Sequence, residues 1–124
     1  MEDLAESLER DKREYGAQTV EESGLGYLAE VYPERLNHFM EEAKFDQEKG
    51  SLPRKTLELV LFGACVAMRN RVGSKIHAQG CLTAGATKRE ILDVLFAAAT
   101  AASHNITVNI LADLKPILEG EVEK

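Results

Sequence analysis

An all-α fold is what this 124-residue chain predicts. Three observations carry that expectation. No stretch alternates apolar and polar residues for long, apolar residues recur at helical spacing in successive blocks, and Gly and Pro fall between those blocks. The length fits a single domain, 1–124, built as a bundle of about six helices. Such a chain buries a real core but is small for a spacious enclosed pocket, and homo-oligomerisation is the natural remedy.

The first block, Glu2 to Glu14, offers only Leu4, Ala5 and Leu8 as an apolar stripe. It reads as part of an N-terminal helical arm (1–23), a helix lying on the surface or docking on a neighbouring subunit. After the Gly24–Gly26 break comes a short apolar segment, Leu25 to Tyr32. Pro33, a good first-turn residue, then opens a helix with Leu36, Phe39, Met40 and Ala43 on one face. The tract FDQEKGSLPRK is loop-like, with Ser51 as N-cap and Pro53 in the first turn of the next helix. From Leu57 to Met68 that helix carries one charged residue, Glu58, so it is expected to be enclosed by other helices or by another subunit.

Asn70 or Ser74 can cap the following helix, which contains His77 and stops at Gly85 in a left-handed turn. Thr87-Lys88-Arg89-Glu90 is a capping box, in which Glu90 reaches back to the Thr87 amide. Leu92, Leu95, Ala98, Ala99 and Ala102 give the next helix a small-residue face suited to close packing. Ser103-His104-Asn105 reads as a cap or hinge before a last helix, Ile106 to about Leu114, which Pro116 bends or terminates. The tail EGEVEK is expected to fray.

Lys and Arg number 15 against 21 Asp and Glu, a net charge of −6, and the acidic residues concentrate before about position 50. No basic stripe exists to neutralise phosphates, so nucleic acid is not an expected partner. No apolar run approaches the roughly 18 residues of a membrane span. With a polar, acidic N-terminus, the expectation is a cytoplasmic protein. Cys65 and Cys81 do not have CxxC or zinc-ligand spacing, so neither a disulfide framework nor a metal site is indicated, and no cofactor is implied.

Two ionisable residues, Glu58 and His77, sit within apolar helical blocks, where a polar group is costly unless paired or used. The plain alternative for Glu58 is an early-turn glutamate paired with Arg54 or Lys55, and for His77 a satisfied core histidine. Cys65 and Cys81 read as small hydrophobes, and His38 as a solvated residue on a polar helix side.

The order Lys55-x-x-Glu58-Leu-Val, then His77, then Ala84-Gly-Ala-Thr-Lys-Arg-Glu-Ile91 resembles the carboxymuconolactone decarboxylase family, which includes the alkylhydroperoxidase D-like proteins. The resemblance covers roughly Leu52 to Asn109, within a best-matching core of 52–114. It implies an all-helical bundle that forms trimers or hexamers and acts on a small molecule.

In the peroxidase branch a Cys-x-x-Cys pair begins the histidine helix; the corresponding positions here are Asn70 and Gly73. Neither can form a thiolate, so that branch's dithiol chemistry cannot operate at these positions. Glu58 and His77 match the branch's proton relay. The resemblance thus implies acid–base chemistry, decarboxylation or a related reaction on a lactone or small carboxylate. His77 would be the general acid/base and Glu58 its orienting partner, with Arg69, Arg71 or Lys75 as candidate anchors for a substrate carboxylate. Peroxide reduction using Cys65 and Cys81, and a non-catalytic helical oligomer that binds a ligand, are the alternatives. His104 lies near the family's pocket region.

Overall fold

The structure is a computed structural model that describes residues 4–102 and 107–120, with 17–19 described by backbone alone. Eight helices and no strand occur among the described residues: α1 Leu4–Tyr15, α2 Ala17–Glu22, α3 Leu25–Val31, α4 Pro33–Lys49, α5 Arg54–Ala67, α6 Arg71–Thr83, α7 Lys88–Ala102 and α8 Thr107–Leu118. The antiparallel hairpin α5–α6 is central. Helices α7 and α8 pack on one side of it, around Phe62, Val66, Ala78, Ile91, Leu95 and Ile110. Phe62 is wholly buried, and truncating such a side chain costs about 3–5 kcal/mol. On the other side α1 and α2 pack on α6, and α4 leans on α1 and α3.

Local chemistry sets most boundaries. Asn70 caps α6, its Oδ1 accepting the Gly73 amide at 2.8 Å. The α6 terminus closes with Ala86 N donating to Cys81 O at 2.8 Å and Gly85 N to Leu82 O at 3.0 Å, with Gly85 at φ 95°. The end of α5 has the same pattern, Asn70 N to Cys65 O and Arg69 N to Val66 O, but its left-handed residue is Arg69, at φ 60°. The Thr87–Glu90 capping box forms reciprocally, at 2.9 and 3.0 Å.

Several sequence expectations are corrected. The number of helices exceeds six because short α2 and α3 separate where a Gly16 and Gly24 boundary interrupts the chain, both at positive φ. Helix α1 packs on α2, α4 and α6 of its own chain. Thr83 Oγ1 donates to Glu14 O at 2.8 Å and Tyr15 is buried, so α1 is part of its own chain's bundle. Residues 45–49 are helical rather than loop, because Asp-Gln-Glu-Lys contains no breaker before Gly50. Ser51 makes no cap; Pro53, extended at ψ 151°, is itself the N-cap of α5.

The helices of one chain leave part of α5 uncovered: Val60 is 55% and Met68 78% exposed. Helix α8 runs past Pro116 to Leu118, because a proline in the final turn forfeits one backbone bond with little helix left to lose. Ser103 to Asn105, and with them His104, lie outside the described residues, as does the tail beyond Gly120. No helix among the described residues is long and apolar enough to cross a membrane.

Candidate active site

Glu58 lies one turn into α5 and is wholly buried. Taking a carboxylate out of water costs several kcal/mol unless its oxygens are satisfied. Here both are. Oε1 accepts the Tyr15 hydroxyl at 2.7 Å, Arg54 Nε at 3.2 Å and Arg54 Nη2 at 3.1 Å. Oε2 lies 2.9 Å from His77 Nδ1. The i, i+4 spacing on α5 brings Arg54 to Glu58, while Arg54 Nη2 also reaches Glu14 Oε2 at 3.0 Å and Tyr15 at 3.1 Å. Gln47 of α4 adds an amide to the Tyr15 oxygen at 3.3 Å.

The electrostatics follow from these partners. Burial by itself would raise the Glu58 carboxyl, but hydrogen bonds from His77 and Tyr15 and the Arg54 charge outweigh it and hold the group below its ordinary 4.5. Burial, then the adjacent Glu58 charge, drive Tyr15 well above the usual phenol range, so it stays a donor. An ionised carboxylate only accepts, which assigns the proton to His77 Nδ1 and, in the neutral ring, leaves the lone pair on Nε2. The Tyr15 and His77 rings meet edge to face, centroids 5.7 Å apart at 79°. A Cβ at Gly80 would fall on Glu58 Oε2 and on the Tyr15 ring, so α6 can approach the carboxylate this closely only with glycine there.

His77 also lines a cavity of about 450 Å³ between α4 and the α5–α6 hairpin, with residues of α1 and α2 contributing to its wall. Its walls are mainly apolar, with Leu57, Leu61, Ile76, Phe39 and Met40 prominent. Its charged lining residues, besides His77, are Arg10, Asp11 and Asp46, and Arg10 stands 3.8 Å from Asp11. Asn70, Gly73 and Cys65 form the wall beside His77, and the Cys65 sulfur sits 2.8 Å from where a Gly73 Cβ would be. A base with one fixed tautomer on the wall of an apolar cavity can take a proton from a bound molecule and return it.

The two sequence readings of Glu58 turn out to be compatible: it pairs with Arg54 and with His77 at once. The candidate anchors are not brought to the cavity. Arg71 makes a bidentate pair with Asp113 of α8, both bonds at 2.9 Å, and Lys75 pairs with Glu22 at 2.8 Å. Arg69 is exposed at the turn after α5. These cations stand off the cavity lining, Arg71 and Lys75 each held by an acidic residue of a neighbouring helix and Arg69 placed by a turn, none of which the local sequence reveals.

Cys65 and Cys81 are free thiols, and Cys65 alone of the two lines the cavity. Burial, assisted by the Glu58 charge, raises the Cys65 thiol and pushes Cys81 up to about 12. His38 is exposed on α4. No cluster of His, Cys, Asp and Glu among the described residues could hold a metal.

Sequence reading missed Tyr15, because its contact with Glu58 spans 43 positions and no local pattern signals it. Gly80 did leave a signal, an isolated glycine inside an apolar helix, which commonly marks a close approach. In comparisons with known proteins, a search of curated proteins and a search of solved structures each return no match. One family model matches, described as the carboxymuconolactone decarboxylase family, over residues 31–112. That span takes in α4 to α7, the Glu58–His77 pair and most of the cavity wall, and it exceeds half of the chain. The chain therefore belongs to the carboxymuconolactone decarboxylase family.

Proposed function

We propose that the protein is an acid–base enzyme that moves a proton at a carbon next to the carbonyl of a small lactone or related ring. This step is shared by lactone decarboxylation and by double-bond isomerisation. The observation that carries the reading is the 2.9 Å contact from Glu58 Oε2 to His77 Nδ1, which leaves Nε2 as the base on a ring that lines the cavity. Glu58 acts through His77, fixing its tautomer and holding the ring in place. Arg54 and Tyr15 in turn keep Glu58 ionised and still.

The test is deuterium incorporation into a small unsaturated lactone in D2O. The wild-type protein is expected to accelerate exchange, and His77→Gln to lose about 10²–10⁴-fold of that rate while keeping its fold. Equal exchange in the two proteins would sink the reading. Peroxide reduction is less favoured, since burial and the Glu58 charge both disfavour a thiolate at Cys65. Dithiol-dependent peroxide consumption that vanishes in a Cys65→Ala, Cys81→Ala double variant would revive it.

The same reading includes a homo-oligomer, trimeric or hexameric as in the family, built on the outer face of α5. There Val60 and Met68 are exposed, and Gly63, Ala64, Ala97 and Ala98 line an open groove of about 400 Å³ against α7. The small side chains let another helix approach closely, and the face carries no charge to desolvate. Val60→Lys is expected to lower the assembly mass by light scattering. An unchanged mass would place the interface elsewhere.

A further inference from the structure

The cavity is poor in positive charge, and that bears on what it can hold. Of the cations nearest the relay, Arg54 is spent on Glu14, Tyr15 and Glu58, Arg71 on Asp113 and Lys75 on Glu22. The one arginine on the cavity wall, Arg10, stands beside Asp11, and Asp46 lies on the same lining. Immediately behind His77 is the ionised Glu58. The Cys65 thiol reports the result, because burial and the Glu58 charge both oppose an anion on that wall. A ligand carboxylate would meet the same two opposing effects.

A neutral hydrogen-bond donor is present instead. Asn70 Oδ1 is committed to the Gly73 amide at 2.8 Å, which turns Nδ2 the other way, and no described residue accepts from it. Nδ2 lies 2.6 Å from the position a Gly73 Cβ would take, so the amide is folded over Gly73 toward the next turn of α6. Asn70, Gly73 and His77 are spaced i, i+3, i+7, on one helix face, about 10 Å apart along the axis from first to last. Helical side chains lean toward the N-terminus, so the imidazole leans back toward the amide. Both residues line the cavity, one on either side of Gly73, with Asn70 at its solvent-exposed end.

We propose that the site takes an uncharged carbonyl compound, with Asn70 Nδ2 donating to its oxygen while His77 Nε2 takes the proton from the adjacent carbon. The C–H bond breaks, its electron pair enters the enolate, and the developing oxyanion is held by the Asn70 amide. The proton, now on Nε2, returns to a carbon of the same ligand, giving an isomer with no oxidant, reductant or second substrate. The catalytic part rests on His77 being the base; the choice of ligand class does not.

A matched pair of probes separates the two. They are a butenolide carrying an acetic acid side chain, anionic at pH 7, and its methyl ester. By NMR titration the ester is expected to bind at least about tenfold more tightly than the acid. Equal or tighter binding of the acid, or binding of neither at millimolar concentration, overturns the ligand class. Asn70→Asp keeps an equally good helix cap while replacing the donor with an acceptor. It is expected to lower deuterium exchange into the ester by about 10²–10³-fold at an unchanged melting temperature. A retained rate in Asn70→Asp overturns the donor role. Absence of exchange even in the wild type removes the base reading, and with it the donor role, while the binding preference still decides the ligand class.

Discussion

Tyr15 donates its hydroxyl proton to Oε1 of Glu58 at 2.7 Å, so the last residue of α1 belongs to the hydrogen-bond shell of a carboxylate 43 positions away. The contact does two things. It satisfies a buried lone pair, and it ties the N-terminal helix to the Glu58–His77 pair.

Tyr15→Phe removes only that hydroxyl. The Arg54 and His77 bonds to Glu58 remain, and the expected loss is about 1.5–3 kcal/mol, the usual worth of a hydrogen bond to a charged group. Urea denaturation checks it. An unchanged midpoint would mean that water replaces the hydroxyl without cost.

Gly80→Ala tests the close approach of α6. Alanine gains roughly 1 kcal/mol in helix propensity, but its Cβ has no room beside Glu58 and Tyr15, and overpacking of this kind costs about 1–3 kcal/mol. A net loss of stability is expected, together with loss of proton exchange as Glu58 is displaced from His77. Gly26→Ala in α3 is the control: its Cβ meets nothing within 4 Å, and a gain of about 0.5–1 kcal/mol is expected. Equal effects at the two sites would contradict the packing account.

The acid limb of the stability curve carries the signature of Glu58. Its carboxyl titrates below the ordinary 4.5 in the folded chain, so its contribution is complete above that pH and is lost as the pH falls below it through the folded value. Glu58→Gln removes the titration, and its stability is expected to fall less steeply than that of the wild type below pH 4.5. Parallel curves from pH 6 to pH 3 would show that other carboxylates dominate.

Arg69 adopts φ 60° in the turn after α5, where a side chain costs about 1–2 kcal/mol over glycine. Arg69→Gly relieves that while adding freedom to the unfolded chain, so a rise of up to about 1 kcal/mol is expected. A fall in melting temperature would show that the arginine makes contacts outweighing the backbone cost.

The sequence by itself determined what short-range rules control. The all-helical class follows from apolar spacing. The Pro33 start, the Asn70 cap, the Gly85 stop and the Thr87–Glu90 box follow from groups no more than a turn or so apart. The Glu58–His77 pairing was legible only through the family pattern of a histidine 19 positions on. Tertiary structure decided the rest. It brought Tyr15 to Glu58 and Glu14 to Arg54, paired Arg71 and Lys75 with Asp113 and Glu22, and left α4 standing off α5 around a cavity. Periodicity fixes which residues share a helix face, but which faces meet depends on how whole helices pack. The charge a cavity presents is set by pairings between helices that no single segment contains.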